Sequence, residues 1–349
     1  MEFISLKYIF LFLLNLSLFF LTNFFFLRKN FLLDKKITSS HKQLINNEIV
    51  PISGGIILMF NVIFLNYFIN FANLAFLLSV FFIGLLADLQ KFNSPKIRLI
   101  IQTLIVIIFI NFNDSLIRSI KISYIDDFLT YDFAAIIFTS FCLLILINGS
   151  NFIDGVNLQC SGYFFALISI IIFLDINIIK FPSIEILYYL ILFLVPFILL
   201  NYFNKSYLGD GGSYLLSFII GYLLINFQIE TNVSPYFIVL LLWYPAFENF
   251  FSIIRRLFKP KKKPDKPDLL HLHHFIYLAF RDRLNFNKNL QSSFPSIVIN
   301  LFNLFIFYMA CNYIYSTGKL IFLIFICIIT YVLSYLWLLN LNYLKNPSK

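Results

Sequence analysis

Residues 320–339 read LIFLIFICIITYVLSYLWLL, a run of twenty residues without a charged side chain. A helix needs roughly 20 apolar residues to cross the hydrocarbon core of a bilayer, so this run predicts a membrane-spanning helix. The rest of the chain has the same character, because 60% of its 349 residues are hydrophobic and 12% are charged. Soluble domains carry about 25% charged residues. The composition therefore excludes an ordinary cytosolic enzyme, a disordered tail and a collagen-like rod.

Hydropathy along the chain predicts an all-α integral membrane protein, a single polytopic domain over residues 1–349 with about 11 (10–11) transmembrane helices. The predicted spans are 3–27, 52–70, 72–87, 99–112, 132–148, 159–178, 184–203, 212–228, 235–255, 296–315 and 319–341. The first run is too long for a cleaved signal peptide, so we expect it to be retained. The four cysteines have no paired spacing, and neither a disulfide framework nor a Cys-based metal site is predicted.

The basic residues predict the orientation of these helices. Placing the first loop in the cytoplasm puts 21 of the 26 Lys and Arg residues on the inner side. By the positive-inside rule the N-terminus is then periplasmic and the C-terminus is inside. The net charge of +9 is thus a topology signal, and no nucleic-acid partner is needed to explain it. The predicted cytoplasmic loops hold all four His and hold or flank eight of the eleven Gly, so we expect the active site at the cytoplasmic face; these loops are 28–50, 88–98, 148–158, 204–211 and 256–295.

Two of these inner segments carry glycines or cations at helix starts. The pair Gly54-Gly55 follows Pro51 at the start of a predicted helix, where free N–H groups favour an anion, although an ordinary turn and helix start explains it as well. Asp88 ends a span just before Lys96 and Arg98. This group is either a structural ion pair or a phosphate clamp with an acid beside it.

Two further segments carry oxygen ligands. Polar residues recur every third position at Asn148, Asn151, Asp154 and Asn157, so on a helical turn they would share roughly one face. Such a set suits a hard cation such as Mg²⁺ or the hydroxyls and base edge of a nucleotide, whereas Asn-Gly and Asp-Gly are also common turn dipeptides. Asp210 stands among three glycines at a predicted helix start, either as an N-cap or as a metal ligand beside backbone that approaches phosphate.

The longest inner loop contains a Lys/Pro run over 259–267 and then three imidazoles, His271, His273 and His274. The run predicts a patch on anionic lipid heads. The histidines could form a transition-metal site, but no Cys is nearby, which favours contacts with a phosphate or sugar. Glu248, about two turns inside a span, is either functional or pairs with basic groups at the inner mouth.

Taken in order, the segments resemble the polyprenyl-phosphate N-acetylhexosamine-1-phosphate transferases, glycosyltransferase family 4, over about residues 30–290. Any one motif is weak, and the five in sequence are a specific match; they are Pro-x-x-Gly-Gly at 51–55, Gly-x-x-x-Asp with Pro-x-x-Arg-Leu at 84–99, Asn-x-x-Asn-x-x-Asp-Gly at 148–155, Gly-Asp-x-Gly at 209–212 and His-x-His-His at 271–274. The stretch 234–256 is similar to the branch that starts surface glycans.

The resemblance implies that a polyprenyl (undecaprenyl) phosphate attacks a UDP-N-acetylhexosamine and releases UMP, the first membrane step of O-antigen, lipopolysaccharide or other cell-envelope glycan synthesis. It implies a multi-pass protein of the bacterial inner (plasma) membrane, in contact with membrane lipids, with a homodimer as one assembly open to it. The implied cofactor is Mg²⁺, with Mn²⁺ as an alternative, on Asn151 and Asp210. The implied catalytic acids are Asp88, Asp154 and Asp210. The implied substrate-binding residues are Lys42, Gly54, Gly55, Lys96, Arg98, Asn148, Asn157, His271, His273 and His274.

Two departures from the family pattern concern Ala87, where relatives usually carry an acid assigned as a general base, and Leu158, where they often carry Gly. The first leaves open a catalytically inactive relative that binds lipid phosphate. The second affects the nucleoside pocket or the turn after it. A transporter or flippase is the alternative from another class, although no internal repeat is apparent and the polar groups gather at one face.

Overall fold

The computed structural model describes residues 2–34, 49–64, 71–92, 94–258, 270–281, 283–284 and 286–345. Most of these residues form helices, which confirms the all-α class. The helices are α1 (Glu2–Lys29), α2 (Gly54–Phe64), α3 (Phe71–Asp88), α4 (Pro95–Asn113), α5 (Ser123–Leu129), α6 (Asp132–Ile153), α7 (Gln159–Asn177), α8 (Ile184–Tyr202), α9 (Gly209–Glu230), α10 (Pro235–Leu241), α11 (Trp243–Phe258), α12 (Leu272–Phe280), α13 (Lys288–Cys311) and α14 (Thr317–Lys345). Two short strands, β1 (Leu33–Asp34) and β2 (Val50–Pro51), pair antiparallel before α2.

Judged by length and apolar character, fewer helices qualify as membrane spans than the eleven that the sequence predicts. Within the described residues, eight helices are long and apolar enough to cross a membrane, and a bent pair would make nine. The predicted span 72–87 corresponds to α3, a shorter apolar helix, and the predicted span 52–70 contains α2, but its residues 65–70 lie outside the described part of the chain. Hydropathy reports burial in an apolar medium and does not distinguish lipid from protein, so short helices enclosed by neighbours pass the same filter.

The predicted span 235–255 is broken into α10 and α11, which meet at an angle of 72°. Pro245 has no N–H to donate to the carbonyl four residues earlier, so the Leu241 carbonyl has no partner from that residue. The hydroxyl of Tyr163 on α7 donates to this carbonyl over 2.6 Å. The side chain thus satisfies a backbone group that the apolar interior would otherwise leave unpaired, which makes the bend tolerable at membrane depth.

Helix α9 lies at the centre of the bundle. Of its most apolar window, 78% is buried inside the protein, against 17% for α1. Helices α2, α3 and α6 pack against it. The ends of several helices therefore converge on the N-terminus of α9, and this convergence positions the candidate site.

Candidate functional site

Asp210 is the centre of the charged group at the N-terminus of α9. Its Oδ2 accepts from the Nη1 of Arg98, at the start of α4, over 2.8 Å. Its Oδ1 accepts from the Nδ2 of Asn151, near the end of α6, over 2.7 Å. The Asp210 side chain is 31% exposed, so it remains accessible from outside the bundle. The structure thus brings together three of the predicted site residues, each of which is more than fifty positions from the other two in the sequence.

Asp88, the last residue of α3, holds the turn that carries Asp210. Its two carboxylate oxygens accept from the backbone N–H groups of Asp210 and Gly211, over 2.9 and 3.1 Å. A carboxylate is stabilised at a helix N-terminus because the free N–H groups there carry partial positive charge. Asp88 therefore fixes the backbone beneath the Asp210 side chain; a direct catalytic role for Asp88 stays a prediction.

Glycines make this convergence sterically feasible. A Cβ added at Gly84 of α3 would lie 2.4 Å from the nitrogen of Gly211, and one at Gly55 of α2 would lie 2.6 Å from the nitrogen of Gly212. Gly209 itself has a φ of +77°, a conformation that side chains disfavour. The glycines therefore allow two neighbouring helices to approach the backbone at the start of α9.

The Gly54-Gly55 pair has a packing function in this arrangement. The amide of Gly54 donates to the carbonyl of Tyr207 and that of Gly55 to the carbonyl of Leu208, both over 3.0 Å. These two amides are therefore used within the protein, and substrate binding at Gly54 and Gly55 stays a prediction. The observed geometry is that of the helix-start alternative.

The polar series at 148–157 forms the face predicted from its spacing only as far as α6 continues, that is, at Asn148 and Asn151. Asn148 donates to Gln102 of α4 and to the Leu144 carbonyl, whereas Asn151 donates to Asp210. Helix α6 ends at Ile153, and Asn157, beyond the turn, donates to Asn204 and to Ser292 of α13. The correction has a simple cause, since the three-residue period applies only while the helix continues.

Asp154 and Asn157 nevertheless border the same space. They line a small cavity of about 10 Å³ together with Asn201, Tyr207 and Leu208. These last three residues lie in or beside the loop that precedes Asp210. Their role was not visible from the sequence, because they belong to no motif and approach Asp154 only in the folded chain.

The three histidines are buried beside this turn. His271 precedes α12, and its ring lies parallel to that of His273 with the centroids 5.5 Å apart. A Cβ added at Gly155 would lie 2.6 Å from Nε2 of His273 and 3.3 Å from a carbon of the His274 ring. The histidine motif therefore contacts the Asp154-Gly155 turn across more than a hundred residues of sequence.

The remaining predicted residues are peripheral or not described. Lys96 is exposed at the start of α4, two residues before Arg98. Lys42 and the Lys/Pro run 259–267 lie outside the described residues. Their phosphate and lipid contacts stay predictions.

Leu158 adopts a backbone conformation that favours glycine. Its φ is +66° and its ψ is −1°, in the left-handed region. The side chain of Asn201 accepts from the Leu158 N–H over 2.7 Å, and Asn300 donates to the Leu158 carbonyl over 3.0 Å. Two asparagines thus hold a conformation that costs an L-residue roughly 1–2 kcal/mol.

We expect Leu158→Gly to change the free energy of unfolding by less than about 1 kcal/mol, because the relieved strain is offset by the greater freedom of the unfolded chain. Asn201→Ala should lower it by about 1–3 kcal/mol, since it leaves a buried backbone N–H without a partner. Thermal unfolding in detergent tests both variants. A larger loss for Leu158→Gly than for Asn201→Ala would contradict this account of the turn.

The donor set at Asp210 fits a cation that arrives with its substrate. Within the described residues no group of three or more His, Cys, Asp or Glu side chains could hold a metal ion alone. Asp210 nevertheless supplies a carboxylate, and Asn151, whose Nδ2 donates to that carboxylate in this structure, also carries an amide oxygen. Mg²⁺ in proteins is commonly held by one or two carboxylates and completed by waters and substrate phosphates. The residues present therefore suit Mg²⁺ bound to a diphosphate.

Fold and site together define a multi-pass, all-α membrane protein with a charged, glycine-rich centre at one end of its bundle. Residues 70–228, a little under half of the chain, match the family model of glycosyl transferase family 4. The matched segment contains Asp88, Arg98, Asn151 and Asp210, and the family supports a phospho-sugar transferase that acts on a polyprenyl phosphate. No curated protein matches the chain.

Proposed function

We propose that the protein transfers N-acetylhexosamine 1-phosphate from a UDP-sugar to a polyprenyl phosphate. An oxygen of the lipid phosphate attacks the phosphorus joined to the sugar. The bond from this phosphorus to the bridging oxygen breaks, and UMP leaves with that oxygen. The products are UMP and a lipid-diphosphate-sugar.

The observation that best supports this reaction is the Arg98–Asp210–Asn151 group at the N-terminus of α9. A diphosphate needs cationic contacts while negative charge shifts to its leaving phosphate, and positioning with charge neutralisation accounts for most phosphoryl-transfer catalysis. Arg98 is a guanidinium suited to bidentate phosphate contact. Mg²⁺, or Mn²⁺, held by Asp210 and Asn151 would neutralise diphosphate charge when bound. Asp88 keeps Asp210 in place through the backbone of α9.

The missing acid at Ala87 does not argue against this reaction. The second pKa of a phosphate monoester is near 6, so the acceptor is largely dianionic at neutral pH. It is then already a nucleophile, and no general base is required to deprotonate it. The chain can therefore perform the proposed step with alanine at this position.

An apolar groove provides a surface for the lipid acceptor. It has a volume of about 390 Å³ and lies along α6, α9 and the bent pair α10–α11. Its lining is apolar apart from Gln228, with Phe138, Leu146, Trp243 and Phe250 among the contributing side chains. A polyprenyl chain in this groove would lie beside α6 and α9, the helices that carry Asn151 and Asp210.

The excess of basic residues in the predicted inner loops supports a bacterial plasma membrane location with this site facing the cytosol. A UDP-sugar is water-soluble and a polyprenyl phosphate is membrane-bound. The site at one end of the bundle would let the two meet at the membrane surface.

The proposal is tested with the full-length protein purified in detergent. We expect UMP release when undecaprenyl phosphate, Mg²⁺ and the correct member of a panel of UDP-N-acetylhexosamines are all present. Omission of the lipid should abolish release, because the lipid phosphate is the nucleophile. A chelator should also abolish it.

Failure would take one of two informative forms. If no sugar gave UMP in a preparation that still binds UDP-sugar, the protein would be a catalytically inactive relative. Recovery of UMP release in Ala87→Asp would then identify the missing acid as the cause. If the protein moved lipid or sugar across the membrane of liposomes without releasing UMP, it would be a transporter and the proposed reaction would be rejected.

A further inference from the structure

Glu248 is a fully buried carboxylate outside the Asp210 group. It lies on α11, and its relative exposure is 0%. Its Oε2 accepts from the hydroxyl of Tyr331 on α14 over 2.6 Å, and its Oε1 lies 2.8 Å from Nδ1 of His271. A buried charge is strongly unfavourable unless it is paired and hydrogen-bonded, and these two contacts satisfy it.

The direction of the histidine contact follows from the chemistry of the carboxylate. An ionised carboxylate can only accept hydrogen bonds, so Nδ1 of His271 must carry a proton and donate. The second ring nitrogen, Nε2, is then the one that remains for a ligand. A hydrogen bond at one ring nitrogen sets which nitrogen of the histidine does chemistry.

A second contact from the same helix holds the backbone before His271. Arg255, seven residues after Glu248 and therefore on the same helix face, donates to the Leu270 carbonyl. It also donates to the hydroxyl of Tyr335, one turn from Tyr331 on α14, over 3.3 Å. Helices α11 and α14 thus fix both the ring and the main chain at the first histidine of the motif.

The fixed ring lies against the site. It is parallel to His273 and its centroid is 5.9 Å from that of Phe152, the neighbour of Asn151. His273 in turn is against Gly155. A rotation of His271 would therefore disturb the packing that joins the histidines to the turn bearing Asn151 and Asp154.

We infer that Glu248 and Tyr331 are positioning residues, which hold His271 with Nδ1 protonated and Nε2 presented to the diphosphate-sugar. The inference rests on the proposed function. Neither residue touches the reacting atoms; both act through His271.

A double-mutant cycle separates positioning from a purely structural role. Glu248→Gln should lower kcat about 10- to 100-fold, as loss of such an orienting partner commonly does, with a smaller change in KM for the UDP-sugar. His271→Asn keeps a donor near the Nδ1 position and removes Nε2. In that background Glu248→Gln should change kcat less than about twofold, because its target is already lost. Equal losses in both backgrounds would overturn the inference.

Two further variants guard against misfolding. Tyr331→Phe keeps the ring and removes one hydrogen bond to Glu248, so we expect a loss in the same direction as Glu248→Gln but smaller. Asn249→Ala is the matched control, since Asn249 is the next residue of α11 and contacts the Ile145 carbonyl of α6 instead. A loss in the control equal to that in Glu248→Gln would assign the effect to α11 packing and overturn the inference.

A spectroscopic measurement does not depend on turnover. In protein labelled with ¹⁵N-histidine, the signal missing from His271→Asn identifies His271. We expect a protonated Nδ1 in the unmutated protein and a shift towards the Nε2-protonated tautomer in Glu248→Gln, because a glutamine can donate to Nδ1. An unchanged tautomer would reject the inference, whereas absence of UMP release with the tautomer shift present would reject the proposed function alone.

Discussion

Replacing Asp210 with asparagine is expected to lower the rate of UMP release by at least about a hundredfold. The substitution removes the carboxylate that pairs with Arg98 and that we assign to Mg²⁺. The asparagine is nearly the same size, so steric effects are small. The measurement is UMP release over a range of Mg²⁺ concentrations, and the variant should also lose its response to the metal.

The matched control is Asp132→Asn. Asp132 forms a similar ion pair with Arg118, with 2.7 Å between its Oδ1 and the arginine nitrogen, but it lies at the start of α6, whereas Asn151 lies near the end of that helix. This pair is largely exposed, and exposed pairs contribute little to stability. We expect activity close to that of the unmutated protein. Full activity in Asp210→Asn, or equal losses in both variants, would remove Asp210 from the proposed site.

Replacing Gly84 with alanine is expected to damage both the packing of α3 on α9 and the activity. The added Cβ would lie 2.4–2.6 Å from the nitrogen and Cα of Gly211 and the carbonyl carbon of Asp210, all backbone atoms of the α9 start. Helix α3 must then move away, which separates Asp88 from the amides it holds. Overpacking of this kind costs about 1–3 kcal/mol. We expect a lower thermal unfolding midpoint and a loss of activity of tenfold or more.

Gly318→Ala provides the comparison for this experiment. A Cβ at Gly318, in the first turn of α14, would meet nothing within 4 Å. It makes the same chemical change without a collision, so stability and activity should be retained. If Gly84→Ala behaved like Gly318→Ala, the close approach of α3 and α9 would not be what holds the site together.

The sequence predicted the fold class and the positions of most helices because apolar runs of membrane length are a local property. It also singled out Asp88, Arg98, Asn151 and Asp210 before any geometry was known. It overestimated the number of long spans. It did not reveal the bend at Leu242, because hydropathy averages over the window and does not register the carbonyl that Tyr163 satisfies.

The sequence predicted which residues lie in the site better than it predicted what each of them does there. The spacing at 148–157 indicated one shared face, whereas the end of α6 directs Asn151 to Asp210 and Asn157 into a polar cluster with Asn204 and Ser292. The glycine pair at 54–55 fitted an anion site and is used for packing. A local pattern specifies which backbone groups could bind, but a neighbouring chain decides which remain free.

The sequence alone determined that this is a polytopic helical membrane protein whose residues 70–228 resemble glycosyl transferase family 4, with its polar residues gathered in a few segments. Tertiary structure alone decided that Asp88 supports Asp210 through the backbone and that Glu248 and Tyr331 hold His271. The physical reason is the distance along the chain over which each property is determined. Apolar content and motif spacing are set within one segment, whereas a carboxylate's role depends on which donors the folded chain brings within about 3 Å of its oxygens.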